Sequence, residues 1–149
     1  MIAVIQRVDE ASVTVDGEVV GSCGQGLYVL LGVGREDSER DADALVRKII
    51  NLRIFEDESG KMNLSVLDVG GEMLAVSNFT LLASYRKGNR PDYMGAASPD
   101  VAKPLYDYFC SKAAESVKVA KGVFGADMKP HLACNGPVTI VMDSKVLIG

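Results

Sequence analysis

The sequence predicts an α+β fold, in which two helices pack on a mostly antiparallel β-sheet or barrel. Three observations support this class. Segments of strand length with alternating or continuous apolar residues recur along most of the 149 residues. Turn signals such as Asp16-Gly17 join neighbouring segments directly, which is typical of antiparallel hairpins. Only two segments have the apolar spacing of an amphipathic helix, so strands are expected to outnumber helices.

The N-terminal segments predict four strands. Ile2–Val8 alternates and is rich in β-branched side chains. Ala11–Val15 and Glu18–Gly21 flank Asp16-Gly17, and both positions of such a turn favour positive φ. Gly26–Val33 is a continuous apolar run, which indicates a strand buried on both faces.

Two helices are predicted from their caps and apolar faces. The first begins after Asp37 or Ser38, either of which can cap it. Its apolar residues recur at i, i+4 and i+7, and are Leu45, Ile49 and Leu52. The second opens at Ser98-Pro99, with serine as the cap and proline at the first helical position. Its apolar face is predicted to consist of Val101, Leu105, Tyr108 and Phe109. Pro104 lies about one and a half turns in and can bend this helix.

The remaining segments predict further strands around a polar loop. Phe55 to Lys61 is predicted as a polar turn, and Gly70-Gly71 as a turn between two strands. Tyr85–Gly95 is polar and contains glycine and proline, which is typical of a loop. The predicted strands are Met62–Leu67, Glu72–Ser77, Val117–Ala120, Asp127–Ala133 and Val138–Met142. No internal repeat or linker is evident, so residues 1–149 are expected to form one domain.

The composition argues against disorder and membrane insertion. Hydrophobic residues make up 48% of the chain, more than disordered segments contain. The apolar runs are short, as in Leu27–Val33, and none approaches the roughly 20 residues that a membrane span needs. The N-terminus lacks a basic region before a long apolar stretch, so a signal peptide is not expected.

Cysteine usage and charge limit the chemistry. Cys23, Cys110 and Cys134 lack C-x-x-C spacing, which predicts reduced thiols in the cytoplasm rather than disulfides or zinc ligands. The single histidine, His131, is expected to be structural, and neither a metal nor a cofactor is predicted. The net charge is -4, so any nucleic-acid partner must be met by a local basic patch.

Three segments contain residues that could support chemistry. Ser77–Leu81 ends a predicted strand and could aim backbone N–H groups at an oxyanion, although turn capping is the simpler interpretation. Cys134–Thr139 contains Asn-Gly-Pro, where the X-Pro bond can be cis, although an ordinary tight turn into the last strand is the simpler interpretation. Arg86–Pro91 carries three cations that could contact phosphates, and a solvated charged loop is an equally good interpretation.

Taken together, these segments resemble the D-aminoacyl-tRNA deacylase family along nearly the whole chain. The two diagnostic motifs are Ser77–Leu81 and Gly136–Thr139. The first motif usually has glutamine where this chain has Asn78, whose amide is one methylene shorter. The other matching segments are Ala3–Val8, Ala11–Val15, Asn51–Phe55, Lys61–Ser65, Asp68–Gly71, Arg86–Pro91 and Phe124–Met128.

The resemblance implies a homodimer that hydrolyses the ester between a D-amino acid and the terminal adenosine of tRNA. The catalytic segment beside the ester would consist of Ser77, Asn78, Phe79 and Thr80. Backbone N–H groups of Phe79 and Thr80 would stabilise the oxyanion, and the ribose 2′-hydroxyl would activate water. A covalent role for Thr80 is the alternative, but no general base is evident nearby.

The resemblance also implies how the substrate is selected. Gly136 and Pro137, joined by a cis bond, would enter the active site of the other subunit, where their carbonyl oxygens receive the α-amino group. An L side chain would clash with this backbone, whereas D-residues and glycine would be accepted. Arg7 is expected to support the Gly-Pro pair rather than to be an edge-strand surface charge, and Met128 is expected to bind substrate.

Two alternatives remain at the level of sequence. Enzymes of the same fold remove mischarged L-alanine with a trans Gly-Pro, or L-serine in the editing domain of archaeal threonyl-tRNA synthetases. Arg7 and the Phe79-Thr80 pair favour the D-specific branch over both. A non-catalytic nucleic-acid-binding protein is the second alternative, and the acidic composition without a basic stripe argues against it.

Overall fold

A mixed β-sheet that nearly closes into a barrel organises the protein, and three helices accompany it. The computed structural model describes all 149 residues. The strands are β1 Ile2–Val15, β2 Glu18–Cys23, β3 Gly26–Gly32, β4 Phe55–Glu56, β5 Met62–Leu64, β6 Glu72–Ser77, β7 Lys118–Lys121 and β8 Lys129–Asp143. The helices are α1 Glu39–Asn51, α2 Pro99–Ala114 and α3 Ser144–Ile148, and a 3₁₀ turn spans Phe79–Leu82. The predicted α+β class is therefore confirmed.

The sheet combines antiparallel and parallel pairs. Its order is β2-β1-β3-β6-β7, and β8 also pairs with β1. Strand β1 is antiparallel to β2, β3 and β8. The β3–β6 and β6–β7 pairs are parallel. Parallel neighbours need crossover connections, and these contain α1 and α2.

A close approach of β2 to β7 completes most of the barrel. A Cβ atom at Gly21 would lie 2.4 Å from the carbonyl oxygen of Lys121. Because this distance is far below van der Waals contact, only glycine allows the two strands to come so near. The barrel therefore depends on a small residue in β2.

Two long strands replace four shorter predicted ones. The predicted Ile2–Val8 and Ala11–Val15 are one strand, β1, and the two segments predicted on either side of Gly136-Pro137 are one strand, β8. The pairing of β1 with β8 shifts register near Val8, which is typical of β-bulges. On β1 the extra residue is Asp9, whereas on β8 residues 135–138, which include Gly136-Pro137, lie opposite Arg7 alone.

Local side-chain contacts explain other differences at element ends. The predicted strand Met62–Leu67 stops at Leu64, because Ser65 and Asp68 form a turn. The Ser65 N–H donates to the Asp68 carboxylate at 2.8 Å, and the Asp68 N–H donates to the Ser65 hydroxyl at 3.1 Å. The third helix, α3, was not predicted, because five residues are too few to show a helical period.

Both predicted helix starts are confirmed, but the apolar face of α2 was predicted wrongly. Ser38 is the cap of α1, and its N–H donates to Asp41 at 2.9 Å. Ser98 and Pro99 begin α2, which continues through Pro104. The buried face of α2 consists of Ala102, Tyr106, Phe109, Cys110 and Ala113. Of the predicted face only Phe109 is fully buried, whereas Leu105 and Tyr108 pack against the core while partly buried and Val101 is exposed. Tyr106 is buried instead, because its side chain reaches the sheet and its hydroxyl donates to the Ala75 carbonyl of β6 at 2.9 Å.

Two hydrophobic clusters lie on opposite sides of the sheet. The larger joins α1 and α2 to the sheet and includes Leu45, Ile49 and Phe109. The smaller fills the barrel interior and includes Val13 and Tyr28. The helices do not meet the length and apolarity that crossing a bilayer demands. The three cysteines are free.

Candidate active site

A cavity of about 690 Å³ opens where the carboxyl ends of β3 and β6 approach the start of α2. Ser77, Asn78, Phe79 and Met128 are among its mainly hydrophobic lining residues. Its volume lies within the range of small-molecule binding pockets. The structure therefore brings together four of the residues that the sequence predicted for the site.

The catalytic segment predicted from sequence forms the end of β6 and the 3₁₀ turn that follows. Asn78 has φ −150° and ψ 91°, and its N–H donates to the Leu31 carbonyl at 2.8 Å. The chain then turns sharply, so the next N–H groups, those of Phe79 and Thr80, occupy the first turn, where intrahelical acceptors are lacking. Neither group donates to another residue of the protein. Of these two free donors, Phe79 lines the cavity, whereas Thr80, the next residue in the turn, does not.

The Thr80 hydroxyl is engaged within its own turn. It donates to the side-chain oxygen of Asn78, and no basic group accepts its proton. His131 lies elsewhere, on β8, where its Nε2 is 3.5 Å from the Thr14 hydroxyl. Asp127 is the only carboxylate that lines the cavity, and it is exposed. This geometry favours backbone catalysis over a side-chain nucleophile.

Arg7 is buried and donates hydrogen bonds to Asn135, the residue just before the Gly-Pro pair. Its side chain is only 7% exposed, which excludes the interpretation as an edge-strand surface charge. Its Nε donates to the Asn135 carbonyl at 3.0 Å and its Nη2 to the Asn135 side-chain oxygen at 3.3 Å. Its Nη1 donates to the Ile54 carbonyl at 2.8 Å. These charge-assisted bonds fix the backbone that enters Gly136.

The Gly136–Pro137 peptide bond is cis, as predicted, and both residues are exposed. Gly136 has φ +134°, and a Cβ there would lie 2.6 Å from the Val138 nitrogen, so only glycine fits. Neither residue lines the 690 Å³ cavity. Arg7 and Asn135 line a separate, smaller one. Within one protomer, the Gly136-Pro137 pair and the segment Ser77–Phe79 therefore do not line the same cavity.

The sequence did not single out several residues that line the cavity. Tyr28 lies in the apolar run of β3, and its hydroxyl is buried without a hydrogen-bond partner. Burial raises the pKa of this phenol to about 12. Tyr93 packs edge-on against Phe79, with ring centroids 5.1 Å apart. A single polar side chain within the apolar run Leu27–Leu31 was the signal in the sequence that could have identified Tyr28. Tyr93 lies in a segment that was predicted only as a polar loop.

The cavity offers no metal-binding cluster and no reactive thiol. No group of three or more His, Cys, Asp or Glu residues is placed to hold a metal ion. Burial, with a contribution from Glu72, raises the pKa of the Cys23 thiol to about 11. Burial likewise raises the pKa of Cys110 to about 11. Neither thiol lines the cavity, so both remain protonated packing residues.

Comparison with known proteins agrees with this arrangement. Residues 4–143 match the family model described as D-Tyr-tRNA(Tyr) deacylase. A D-aminoacyl-tRNA deacylase of Kosmotoga olearia is 56% identical over 145 residues, which are 97% of this chain and 98% of the relative. A solved structure of a c-Myc DNA Unwinding Element Binding Protein is 44% identical with a TM-score of 0.91, over 96% of this chain and 98% of that chain.

A second solved structure, of a probable eukaryotic D-amino acid tRNA deacylase, has a TM-score of 0.80 over 95% of this chain and 97% of that chain. Its identity is 17%, so it supports the fold alone. The family model and the relative from Kosmotoga olearia span nearly the whole chain. The chain therefore belongs to the D-aminoacyl-tRNA deacylase family, hydrolases that act on the ester bond of aminoacyl-tRNA.

Proposed function

We propose that the cavity beside Ser77–Thr80 binds the terminal adenosine and the ester of D-aminoacyl-tRNA, and that hydrolysis takes place there. The observation that carries this proposal is the pair of free N–H groups on the consecutive residues Phe79 and Thr80, of which Phe79 lines an apolar cavity. Such donors stabilise negative charge on a carbonyl oxygen most strongly where water is excluded. In this proposal the chain acts as one catalytic domain in the cytoplasm, in keeping with its free thiols.

The chemical step uses backbone donors and the substrate's own hydroxyl. A water molecule adds to the ester carbonyl, and the Phe79 and Thr80 N–H groups donate to the oxygen that becomes negative. The ribose 2′-hydroxyl relays the proton of water to the departing 3′-oxygen. The bond between the carbonyl carbon and that oxygen then breaks, which leaves a D-amino acid and tRNA with a free 3′-hydroxyl. No protein side chain changes its protonation state in this scheme.

Selection of D-residues requires a second copy of the chain. Gly136 and Pro137 are exposed and lie outside the cavity of their own protomer. In a homodimer they enter the cavity of the other subunit, where their carbonyl oxygens bind the α-amino group and their backbone excludes an L side chain. Arg7 holds this segment in place through Asn135. Glycine has no side chain to exclude, so glycyl-tRNA is also a substrate.

Rates on three substrates test the proposed reaction. D-Tyrosyl-tRNA and glycyl-tRNA are expected to be hydrolysed, and L-tyrosyl-tRNA to remain intact under the same conditions. Light scattering at micromolar concentration is expected to give the mass of a dimer. A fully active monomer contradicts the shared site, and equal cleavage of D- and L-tyrosyl-tRNA contradicts the selection mechanism.

Mixed dimers test whether the two motifs act across subunits. Phe79→Pro removes one N–H donor, and Gly136→Ala forces a Cβ against the Val138 nitrogen. Each variant alone is expected to be severely impaired. In a refolded equal mixture, half of the dimers are mixed, and each has one site with both motifs intact. Activity is therefore expected to recover to about a quarter of wild type. Absence of recovery in verified mixed dimers contradicts action across subunits.

A further inference from the structure

A basic loop follows directly after the 3₁₀ turn. We give this name to residues 84–92. Its stem is closed by two backbone hydrogen bonds, from the Ser84 N–H to the Asp92 carbonyl at 2.7 Å and from the Asp92 N–H to the Ser84 carbonyl at 2.9 Å. Arg86, Lys87 and Arg90 lie beyond this stem and are exposed. The stem makes the loop a defined projection rather than an open connection.

The three cations of the basic loop are not neutralised within the protein. None of them forms a salt bridge, whereas five lysines elsewhere do: Lys103, Lys112, Lys118, Lys121 and Lys145. The carboxylate of Asp92 accepts from the Met94 N–H at 2.7 Å at the base of the loop. Three positive charges are thus concentrated at one point of a chain whose net charge is -4. Such a local patch attracts polyanions despite the overall sign.

Both ends of the basic loop are connected to the 3₁₀ turn, which contains the cavity-lining Phe79. At one end, the Ala83 N–H donates to the Thr80 carbonyl at 3.1 Å. At the other end, Tyr93 packs against Phe79, and both rings line the cavity. Seven residues lie beyond the stem. Since the loop must return to the stem, its tip can reach about half of their extended length, which is about 10 Å. One strand of nucleic acid rises about 3.4 Å per nucleotide, so this reach covers about three nucleotides.

An exposed aromatic side chain accompanies the cations. Tyr85 is 82% exposed and directly precedes Arg86. Proteins that bind single strands combine cations along the backbone with aromatic rings on which bases stack. We infer that the basic loop binds the phosphates of the unpaired nucleotides that precede the terminal adenosine, while Tyr85 offers a ring to one base. This inference rests on the proposed function, because it requires the adenosine in the cavity.

The test compares two substrates of the same active site. D-Tyrosyl-tRNA contains the phosphates, whereas the D-tyrosyl ester of adenosine ends at the nucleoside. The loop variant combines Arg86→Ala, Lys87→Ala and Arg90→Ala. A control variant removes three exposed cations from α1, which lies away from the cavity, by Arg40→Ala, Arg47→Ala and Lys48→Ala. The two variants therefore have the same net charge.

The loop variant is expected to lose kcat/KM for D-tyrosyl-tRNA by on the order of tenfold or more at low salt. The slope of log kcat/KM against log salt concentration is expected to decrease in magnitude by about 2, since three phosphate contacts to a single strand are lost. Its kcat/KM for the nucleoside ester is expected to equal that of wild type. The control variant is expected to match wild type on both substrates.

Three results overturn the inference, and they differ from a failure of the proposed function. Unchanged kcat/KM and salt slope in the loop variant mean that the loop does not meet phosphates. An equal loss in the control variant means that only net charge matters. An equal loss on both substrates means that the loop supports the cavity itself. If wild type cleaves neither substrate, the proposed function is wrong, and the inference fails with it.

Discussion

Replacement of Phe79 by proline tests whether a backbone N–H group stabilises the oxyanion. Proline has no N–H, and its fixed φ of about −65° suits a 3₁₀ turn. The preceding residue must be extended, and Asn78 already has φ −150° and ψ 91°. The N–H of Phe79 donates to no other residue. The substitution therefore removes a free donor without breaking a hydrogen bond of the fold.

The loss of the phenyl ring needs its own control. The ring packs edge-on against Tyr93 with centroids 5.1 Å apart, a contact worth about 0.5–1.5 kcal/mol. Phe79→Ala removes this contact but keeps the N–H group. The comparison of Phe79→Pro with Phe79→Ala thus isolates the donor, provided that both variants unfold at similar temperatures.

Phe79→Pro is expected to hydrolyse D-tyrosyl-tRNA about 100- to 1,000-fold more slowly than Phe79→Ala in single-turnover reactions. This ratio corresponds to about 2.7–4 kcal/mol of transition-state stabilisation. Saturating enzyme removes differences in binding, so the rate constant reports the chemical step. Equal rate constants for two folded variants would refute a catalytic role of this N–H group.

Three further predictions concern side chains. Thr80→Ala and Asp127→Asn are each expected to keep the single-turnover rate within about tenfold of wild type, because neither side chain acts as nucleophile or base. A substrate that ends in 2′-deoxyadenosine is expected to react far more slowly. An inactive but folded Thr80→Ala variant contradicts this mechanism. Tyr28→Phe removes a buried hydroxyl without a partner and is expected to raise the free energy of unfolding in urea by about 1 kcal/mol; a decrease would reveal a contact of this hydroxyl. Burial opposes the charge of Asp41, but hydrogen bonds, first that from Lys145, outweigh it and lower the pKa of this carboxyl from 3.8. A carboxyl whose pKa is lower in the folded protein stabilises the fold at pH values above its unfolded pKa, and this stabilisation is lost as the pH falls through its folded pKa. Lys145→Ala is therefore expected to be less stable than wild type at pH 7, and this difference is expected to shrink below about pH 4.

Local signals in the sequence predicted those features that depend on neighbouring residues. Asp16-Gly17 predicted the hairpin between β1 and β2, and the structure gives φ +49° and +80° at these positions. Ser38 and Ser98 predicted the starts of two helices. A cap or a two-residue turn is decided by its own dihedral angles and hydrogen bonds, so a short stretch of sequence contains the necessary information.

Features that depend on distant residues were not predictable in this way. The parallel pairing of β3 with β6 joins segments more than forty residues apart, and no periodicity identifies a partner strand. The prediction for α2 placed only large apolar residues on its buried face, although Ala102 and Ala113 are also buried. Their small size matters only once other elements pack against them. Likewise, the need for Gly21 follows only from the position of β7.

The chemistry proposed for the site explains why the residues alone did not identify it in the sequence. The proposed chemistry uses main-chain groups: two N–H donors in the 3₁₀ turn and two carbonyl oxygens at Gly136 and Pro137. Main-chain chemistry leaves no ionisable residue that marks the site, so turn capping was the simpler interpretation of Ser77–Leu81 until the family resemblance was considered. The same proposal predicts that asparagine at position 78 is compatible with activity, although the family resemblance implies glutamine there. The N–H of Asn78 fixes the turn through Leu31, and that contact does not depend on the length of the side chain.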